Sequence, residues 1–192
     1  MDASAHMDDA ALVKLAQGSP QAFDPLYQRY RHPVLAFCYR QLGDRDEAED
    51  VASAAFVSAL RGLPQFQDRG NSFRAWLFRI VRNEIGMYRR KASRHPEQPL
   101  DDAGELVDPA RSPEELALLA DGQLRLSALL STLSQSERHA IDLYLADLTT
   151  NEIAAVLDIS LPAVRTRLSR AFAKLRAALL KVDLPEEGDS DV

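Results

Sequence analysis

Two stretches of the chain concentrate cationic side chains, and the chemistry they offer is the capture of polyanions. From Arg74 to Arg94, seven basic residues (Arg74, Arg79, Arg82, Arg89, Arg90, Lys91, Arg94) stand against one acid, Glu84. From Ser160 to Val182, six (Arg165, Arg167, Arg170, Lys174, Arg176, Lys181) stand against none. Guanidinium groups donate in a fixed fork that suits phosphate oxygens and the O6/N7 edge of guanine. Taken alone, either stretch would equally suit a solvated helix face. A third cluster is acidic: Asp44, Asp46, Glu47, Glu49 and Asp50. Its density invites a calcium site, but Ala48 takes a ligand position and the glycine and distal glutamate of a calcium loop are missing. A partner surface, or a helix start favoured by the macrodipole, is left. No glycine-rich phosphate loop occurs, and His32, His95 and His139 lack Cys or carboxylate partners at metal spacing. Paired acids sit on polar helix starts, where nothing raises a carboxyl pKa. No enzyme, metal or cofactor is expected.

The elements that hold these clusters follow from periodicity. Apolar residues recur at i, i+3, i+4 and i+7, period-2 alternation is nearly absent, and Ala, Leu, Arg and Glu abound, so the fold is expected to be all-α. Helices are predicted over Asp8–Gln17, Pro20–Leu42, Arg45–Leu63, Ser72–Ala92, Pro113–Leu130, Gln135–Ala146, Thr150–Leu157 and Leu161–Lys181. The 192 residues carry a net charge of -6 with 46% apolar residues, enough for one large or two small cores. No apolar run approaches the roughly 18 residues of a membrane span. Cys38 is the one cysteine and cannot form an internal disulfide, and the acidic start lacks a secretory pattern; a cytoplasmic protein without membrane insertion is expected. Residues 1–7 read as a tag remnant. The surplus acid lies in 101–115 and 183–192, so two small helical domains are expected, 8–94 and 113–182, joined by a flexible acidic linker at 95–112 and followed by an acidic tail at 183–192.

The segment Thr149 to Lys174 has the pattern of a helix-turn-helix. Thr149-Thr150-Asn151-Glu152 fits a capping box, as do Ser134-Gln135-Ser136-Glu137 and Ser112-Pro113-Glu114-Glu115. Only Asp158 and Ile159 separate Leu157 from the next cap, Ser160, with Pro162 in the following first turn. Leu148 with Ile153, and Ile159 with Val164, stand at staple positions. Ile153, Ala154 and Leu157 form one inner face, and Val164, Leu168, Ala171, Leu175 and Leu179 form a longer one. Arg167, Arg170, Lys174, Thr166 and Ser169 fall opposite or beside that stripe, with Arg165 on the other flank, as for a helix that enters a major groove.

At these residues the chain resembles the sigma-70 family of bacterial RNA polymerase sigma factors. Leu148-Thr149-Thr150-Asn151-Glu152-Ile153-Ala154, Leu157-Asp158-Ile159-Ser160 and Val164-Arg165-Thr166-Arg167-Leu168-Ser169-Arg170-Ala171 resemble its region 4.2, and Leu129 to Arg138 its region 4.1. A glycine is common in the family where this chain has Asp158, and Leu161-Pro162 replaces a polar pair. Upstream, Phe23-Asp24-Pro25-Leu26-Tyr27, Asp46-Glu47-Ala48-Glu49-Asp50-Val51 with Phe56 to Leu60, Phe73 to Asn83, and Tyr88-Arg89-Arg90-Lys91 are similar to regions 2.1 to 2.4 of the extracytoplasmic-function (ECF) branch. Ser53-Ala54 stands where that branch usually has Gln-Glu.

The resemblance implies a factor that binds core RNA polymerase and directs promoter-specific initiation. Ser160, Arg165, Thr166, Arg167, Arg170 and Lys174 would read the -35 element. Phe66, Asn71, Ser72, Arg79, Arg82, Asn83, Arg89 and Arg90 would hold the melted -10 strand, the loop 64–72 receiving an unstacked base. Trp76 shares its face with Phe73, Leu77 and Ile80 and is read first as core, with a melting role as the alternative. Asp46, Glu49, Asp50 and Phe56 would dock on the clamp helices of the largest polymerase subunit, the flap being the second contact. Promoter DNA and an anti-sigma factor complete the implied partners, and the free chain is expected to be monomeric. The rival is a stand-alone helix-turn-helix regulator whose N-terminal bundle binds a ligand or dimerises, which requires a palindromic site. No dimerising heptad supports it.

Overall fold

The computed structural model describes residues 7–68, 72–94 and 129–182, and every regular element among them is helical. In chain order these are α1 (Asp9–Gly18), a 3₁₀ turn (Pro20–Phe23), α2 (Asp24–Leu42), α3 (Arg45–Gly62), a second 3₁₀ turn (Leu63–Gln65), α4 (Phe73–Arg94), α5 (Gln135–Tyr144), α6 (Thr150–Leu157) and α7 (Leu161–Val182). The all-α expectation is met. Residues 1–6, Asn71, the linker 95–112, the tail 183–192 and the predicted helix at 113–130, save Leu129 and Leu130, lie outside the described residues.

Two boundaries differ from expectation for backbone reasons. The helix predicted as Pro20–Leu42 breaks into a 3₁₀ turn and α2, because Pro25 has no N–H to continue the ladder and sits instead in the first turn of α2. Leu63 opens a 3₁₀ turn rather than closing α3, since Pro64 follows it. Elsewhere the ends move by one or two residues.

The chain divides into two compact units, one of residues 1–102 and 142–161, the other of 103–141 and 162–192. The first therefore takes α6 along with α1 to α4. Its core joins Leu26, Val34, Phe37 and Cys38 of α2 to Leu77, Phe78 and Val81 of α4, and α6 adds Ile153, Val156 and Leu157. On α3 the buried side chains Ala48, Ala52, Ala55 and Ala59 form a small-residue stripe at helical spacing, which lets neighbouring helices approach closely. Phe78 stands edge-on to Phe37 at 5.5 Å between ring centres. Burial pushes the Cys38 thiol up to about 12, so it packs as a small apolar group. Asp8 caps α1 by accepting the Ala11 N–H at 2.8 Å. Asp9 then ties α1 to α2, taking Arg29 at 2.5 Å and the Tyr30 hydroxyl.

The second unit buries Leu133, Ala140 and Ile141 on the α5 side and Val164, Leu168 and Ala171 on α7, the last three at the i, i+4, i+7 spacing of one helix face.

Candidate nucleic-acid interface

On α4 the sequence sorts its two faces by period. Phe73, Leu77, Phe78, Val81 and Ile85 are buried, while Arg79, Arg82, Asn83, Arg89 and Arg90 are exposed. Ser72 caps the helix, its hydroxyl accepting the Ala75 N–H at 3.2 Å. Arg82, Asn83, Gly86, Met87 and Arg90 line an open groove of about 500 Å³. A Cβ at Gly86 would meet only the end of the flexible Arg90 side chain, at 3.3 Å. Two arginines, one amide and a thioether suit a phosphate with a base beside it.

Phe66 does not offer the open stacking face expected of it. It is 9% exposed and packs against Trp76 at 4.9 Å and Phe73 at 6.0 Å, because three apolar rings recover more by packing together than by facing water. Trp76 belongs to this cluster, as its apolar neighbours suggested, and its ring lies where a Cβ on Gly62 would approach to 3.1 Å. Sequence reasoning missed Gln17. Its side-chain amide donates to the carbonyls of Leu63 at 3.0 Å and Phe66 at 2.8 Å, pinning the entry to the loop after α3. Nothing in a lone glutamine signals a partner 46 residues away.

Several polar groups of this face already have partners within the same unit. Arg79 Nη2 donates to the Ala155 carbonyl at 2.5 Å, Arg82 Nη1 to the Val156 carbonyl at 3.1 Å, and Arg74 Nη1 to the Asp147 carbonyl at 2.5 Å. The Ser72 hydroxyl donates to Glu152, and Arg89 donates to the Gln41 carbonyl. Burial opposes the charge of Glu152, but hydrogen bonds from Ser72 and Thr149 outweigh it and hold this carboxyl below its usual range.

The start of α6 carries the predicted capping box: Thr149 N–H donates to Glu152 at 2.8 Å, and Thr149 Oγ1 accepts the Glu152 N–H at 3.3 Å. Its end explains the glycine of the family pattern. Asp158 has φ 54 and ψ 51, the left-handed region, and the Ile159 N–H reaches back to the Ala154 carbonyl at 3.1 Å. Glycine takes that conformation without strain; aspartate is among the few other residues that tolerate it.

On α7, Arg165, Thr166, Ser169 and Arg170 are exposed, Arg167 is half-buried, and Ser160 lies exposed just ahead of the helix. Two predicted contacts are engaged elsewhere. The Thr166 hydroxyl donates to the Pro162 carbonyl at 3.0 Å, and Lys174 Nζ lies 2.7 Å from Glu137. Glu137 is 6% exposed; the Lys174 ammonium and the Ser134 N–H pull its carboxyl down to about 2. A depressed carboxyl stabilises the fold above its ordinary pKa of 4.5, and that contribution fades as pH falls from there towards 2. Thermal melts from pH 6 to 2.5 should therefore show Glu137→Gln losing less stability on acidification than the parent chain. Equal pH dependence would refute this role.

The acidic cluster forms the exposed start of α3. Asp44 caps it, accepting the Glu47 N–H at 2.8 Å, and Arg45 pairs with Glu49 at 2.7 Å. Hydrogen bonding to Glu47 pushes the Tyr88 phenol up to about 12. Asp46, Glu49, Asp50 and Ser53 are exposed on one face that continues into Val57 and Leu60, which are 47% and 38% exposed. Phe56 is not on that face. It is 8% exposed and stands edge-on to Tyr27 at 4.9 Å, so it supports the surface from beneath. The i+7 and i+10 spacing of Val57 and Leu60 from Asp50 is the signal that would have found them.

Among the described residues no group of His, Cys, Asp and Glu is arranged to hold a metal ion, and no helix is long and apolar enough to cross a membrane.

Known families match both halves of this arrangement. The profile of Sigma-70 region 2 matches residues 26–95, and that of Sigma-70, region 4 matches residues 123–175. The ECF RNA polymerase sigma factor ShbA of Streptomyces griseus is 33% identical over 177 residues, covering 88% of this chain and 93% of its own. The ECF RNA polymerase sigma-E factor of Escherichia coli is 33% identical over 179 residues, with 88% and 92% covered. Among solved structures, CnrH in complex with the cytosolic domain of CnrY superposes with a TM-score of 0.63 at 33% identity, covering 92% of this chain and 99% of that one.

Proposed function

Because this chain belongs to the ECF family of sigma-70 RNA polymerase sigma factors, we propose a division of labour among the surfaces just described. The protein binds core RNA polymerase and directs initiation at promoters through their -35 and -10 elements. The outer face of α7 reads the -35 element, with Arg167 and Arg170 on base edges and Arg165 on phosphate. Ser160 lies at the groove entrance, while Thr166 and Lys174 support the helix through their own bonds to Pro162 and Glu137. The groove of Arg82, Asn83 and Arg90 takes the melted -10 strand, helped by Arg79, Arg89, Ser72 and Asn71; Phe66 shapes the loop from inside.

Asp46, Glu49 and Asp50, extended by Val57 and Leu60, dock on the clamp helices of the polymerase, with Phe56 beneath them. Two small domains, 8–94 and 113–182, act on one promoter through the acidic linker. Polymerase binding raises the effective concentration of the second contact once the first is made. A factor of this kind supplies binding and positioning, with the bond-making left to the polymerase, and it works in the cytoplasm at the nucleoid. CnrH is held by the cytosolic domain of CnrY, and an anti-sigma protein is the regulator proposed here.

The observation that carries this reading is that α4 and α7 each expose arginines on one face while burying an apolar stripe on the other. Transcription of source genomic DNA by core polymerase, with and without the protein, tests it. Mapped 5′ ends sharing two upstream elements are expected. No new starts, with tight polymerase-free binding to a palindrome, would establish the stand-alone regulator instead.

A further inference from the structure

We propose that Gln17 is a positioning residue for reading the -10 element: from the last turn of α1 it sets the course of the chain leaving α3, so that the loop beyond can receive an unstacked base. This rests on the reading of that loop and of α4 above. A side-chain amide nitrogen carries two N–H donors, and both are used here. Gln17 Nε2 donates to the Leu63 carbonyl at 3.0 Å and to the Phe66 carbonyl at 2.8 Å. The Leu63 carbonyl also accepts the Phe66 N–H at 3.0 Å, the bond that closes the 3₁₀ turn. Phe66 itself is extended, with φ -64 and ψ 130. One side chain therefore holds both the closed turn and the residue at which the backbone leaves it.

The ring of Phe66 is fixed separately. It packs against Trp76 and Phe73, Phe73 lies 5.6 Å from Tyr30, and the Tyr30 hydroxyl donates to Asp9 at the start of α1. Helix α1 thus reaches the stem of the loop twice, directly from Gln17 and from Asp9 through Tyr30 and Phe73. Apolar packing is non-directional and keeps the ring inside without orienting the backbone, whereas a hydrogen bond is directional and orients the carbonyl. Leu12, Val13 and Ala16 bury the inner face of α1, while Gln17 is exposed, so exchanging it leaves the core untouched. Base contacts form only in molecules whose loop has the receiving course. Lowering that fraction weakens the hold on the preferred base and leaves the phosphate contacts as they were. Discrimination falls, and general affinity does not.

The test uses the full chain with core polymerase on a mapped promoter and its single-base variants across the -10 element, comparing initial rates of initiation. Gln17→Met keeps the length of the side chain and removes both donors. It is expected to reduce the preference for the parent base about fivefold at one -10 position, with -35 preference, polymerase pull-down and affinity for a 20-nucleotide oligothymidine unchanged. Amide hydrogens of residues 64–68 should exchange faster. Gln17→Lys restores donors and should restore the preference, a ratio in which its added charge cancels. Should Gln17→Met not fold by circular dichroism, Gln17→Ser, too short to reach either carbonyl, carries the comparison. Parental discrimination without the donors overturns the proposal, as does a loss shared equally by -35 and -10 positions, or a Gln17→Lys chain as indiscriminate as Gln17→Met. Asn83→Ala, run in parallel, separates the two readings. If it loses discrimination while Gln17→Met keeps it, positioning by Gln17 alone is refuted; if neither loses it, the reading of the -10 surface falls as well.

Discussion

Replacing Arg167 and Arg170 together by alanine is expected to lower promoter-directed initiation about a hundredfold, with the fold and polymerase binding intact. Each arginine that bonds a base edge contributes about 1–3 kcal/mol of discrimination, and the two act on neighbouring positions. Their loss leaves the core of the second unit alone. Val164, Leu168 and Ala171 bury the other side of α7, and Arg170 is exposed with Arg167 half-buried. Transcript yields from a mapped promoter, measured beside a thermal melt and a polymerase pull-down, check this. An unchanged yield would remove α7 from -35 recognition. Arg165→Ala makes the contrast: it should weaken binding to all sequences alike and reduce the salt slope by about one, as loss of a phosphate contact does.

Phe78→Ala is expected to cost about 3–5 kcal/mol of stability, the range for emptying a buried aromatic site. Phe78 has no exposed surface, and its edge contact with Phe37 couples α2 to α4, so neither helix can close the void without moving the other. In a protein of this size such a loss lowers the melting temperature on the order of 10 °C. DNA and polymerase binding should fall only in proportion to the unfolded fraction. Circular dichroism melts set against binding measured well below the transition would show this. A melting point within a degree or two of the parent would mean that the interior collapses around the gap.

The two predictions differ in what they reveal. The first removes recognition and spares the scaffold, while the second removes the scaffold and takes recognition with it. Asp158 stands between these cases. It joins α6 to the segment leading into α7 in a left-handed turn where family members commonly have glycine, and its tolerance for that conformation keeps the turn short.

Much of this protein could be read from residue order, because the signals are local. Capping residues and apolar period locate α6 to the residue at both ends and the other described helices to within a turn, apart from the breaks imposed by Pro25 and Pro64. The same period separates the arginine faces of α4 and α7 from their buried stripes, and neighbouring acids mark the start of α3. These features arise between residues a few positions apart, where backbone geometry alone dictates proximity.

What the tertiary structure decided concerns partners. The period could not tell that Phe66 closes on Trp76 and Phe73, that Phe56 lies beneath the acidic face, or that Lys174 turns to Glu137, 37 residues away. Least legible was the seating of α6. Arg79 and Arg82 find carbonyls 76 and 74 residues along the chain, and a backbone carbonyl has no side chain to announce it. An amphipathic pattern tells a helix which side is polar; only packing selects the oxygen that each guanidinium will hold.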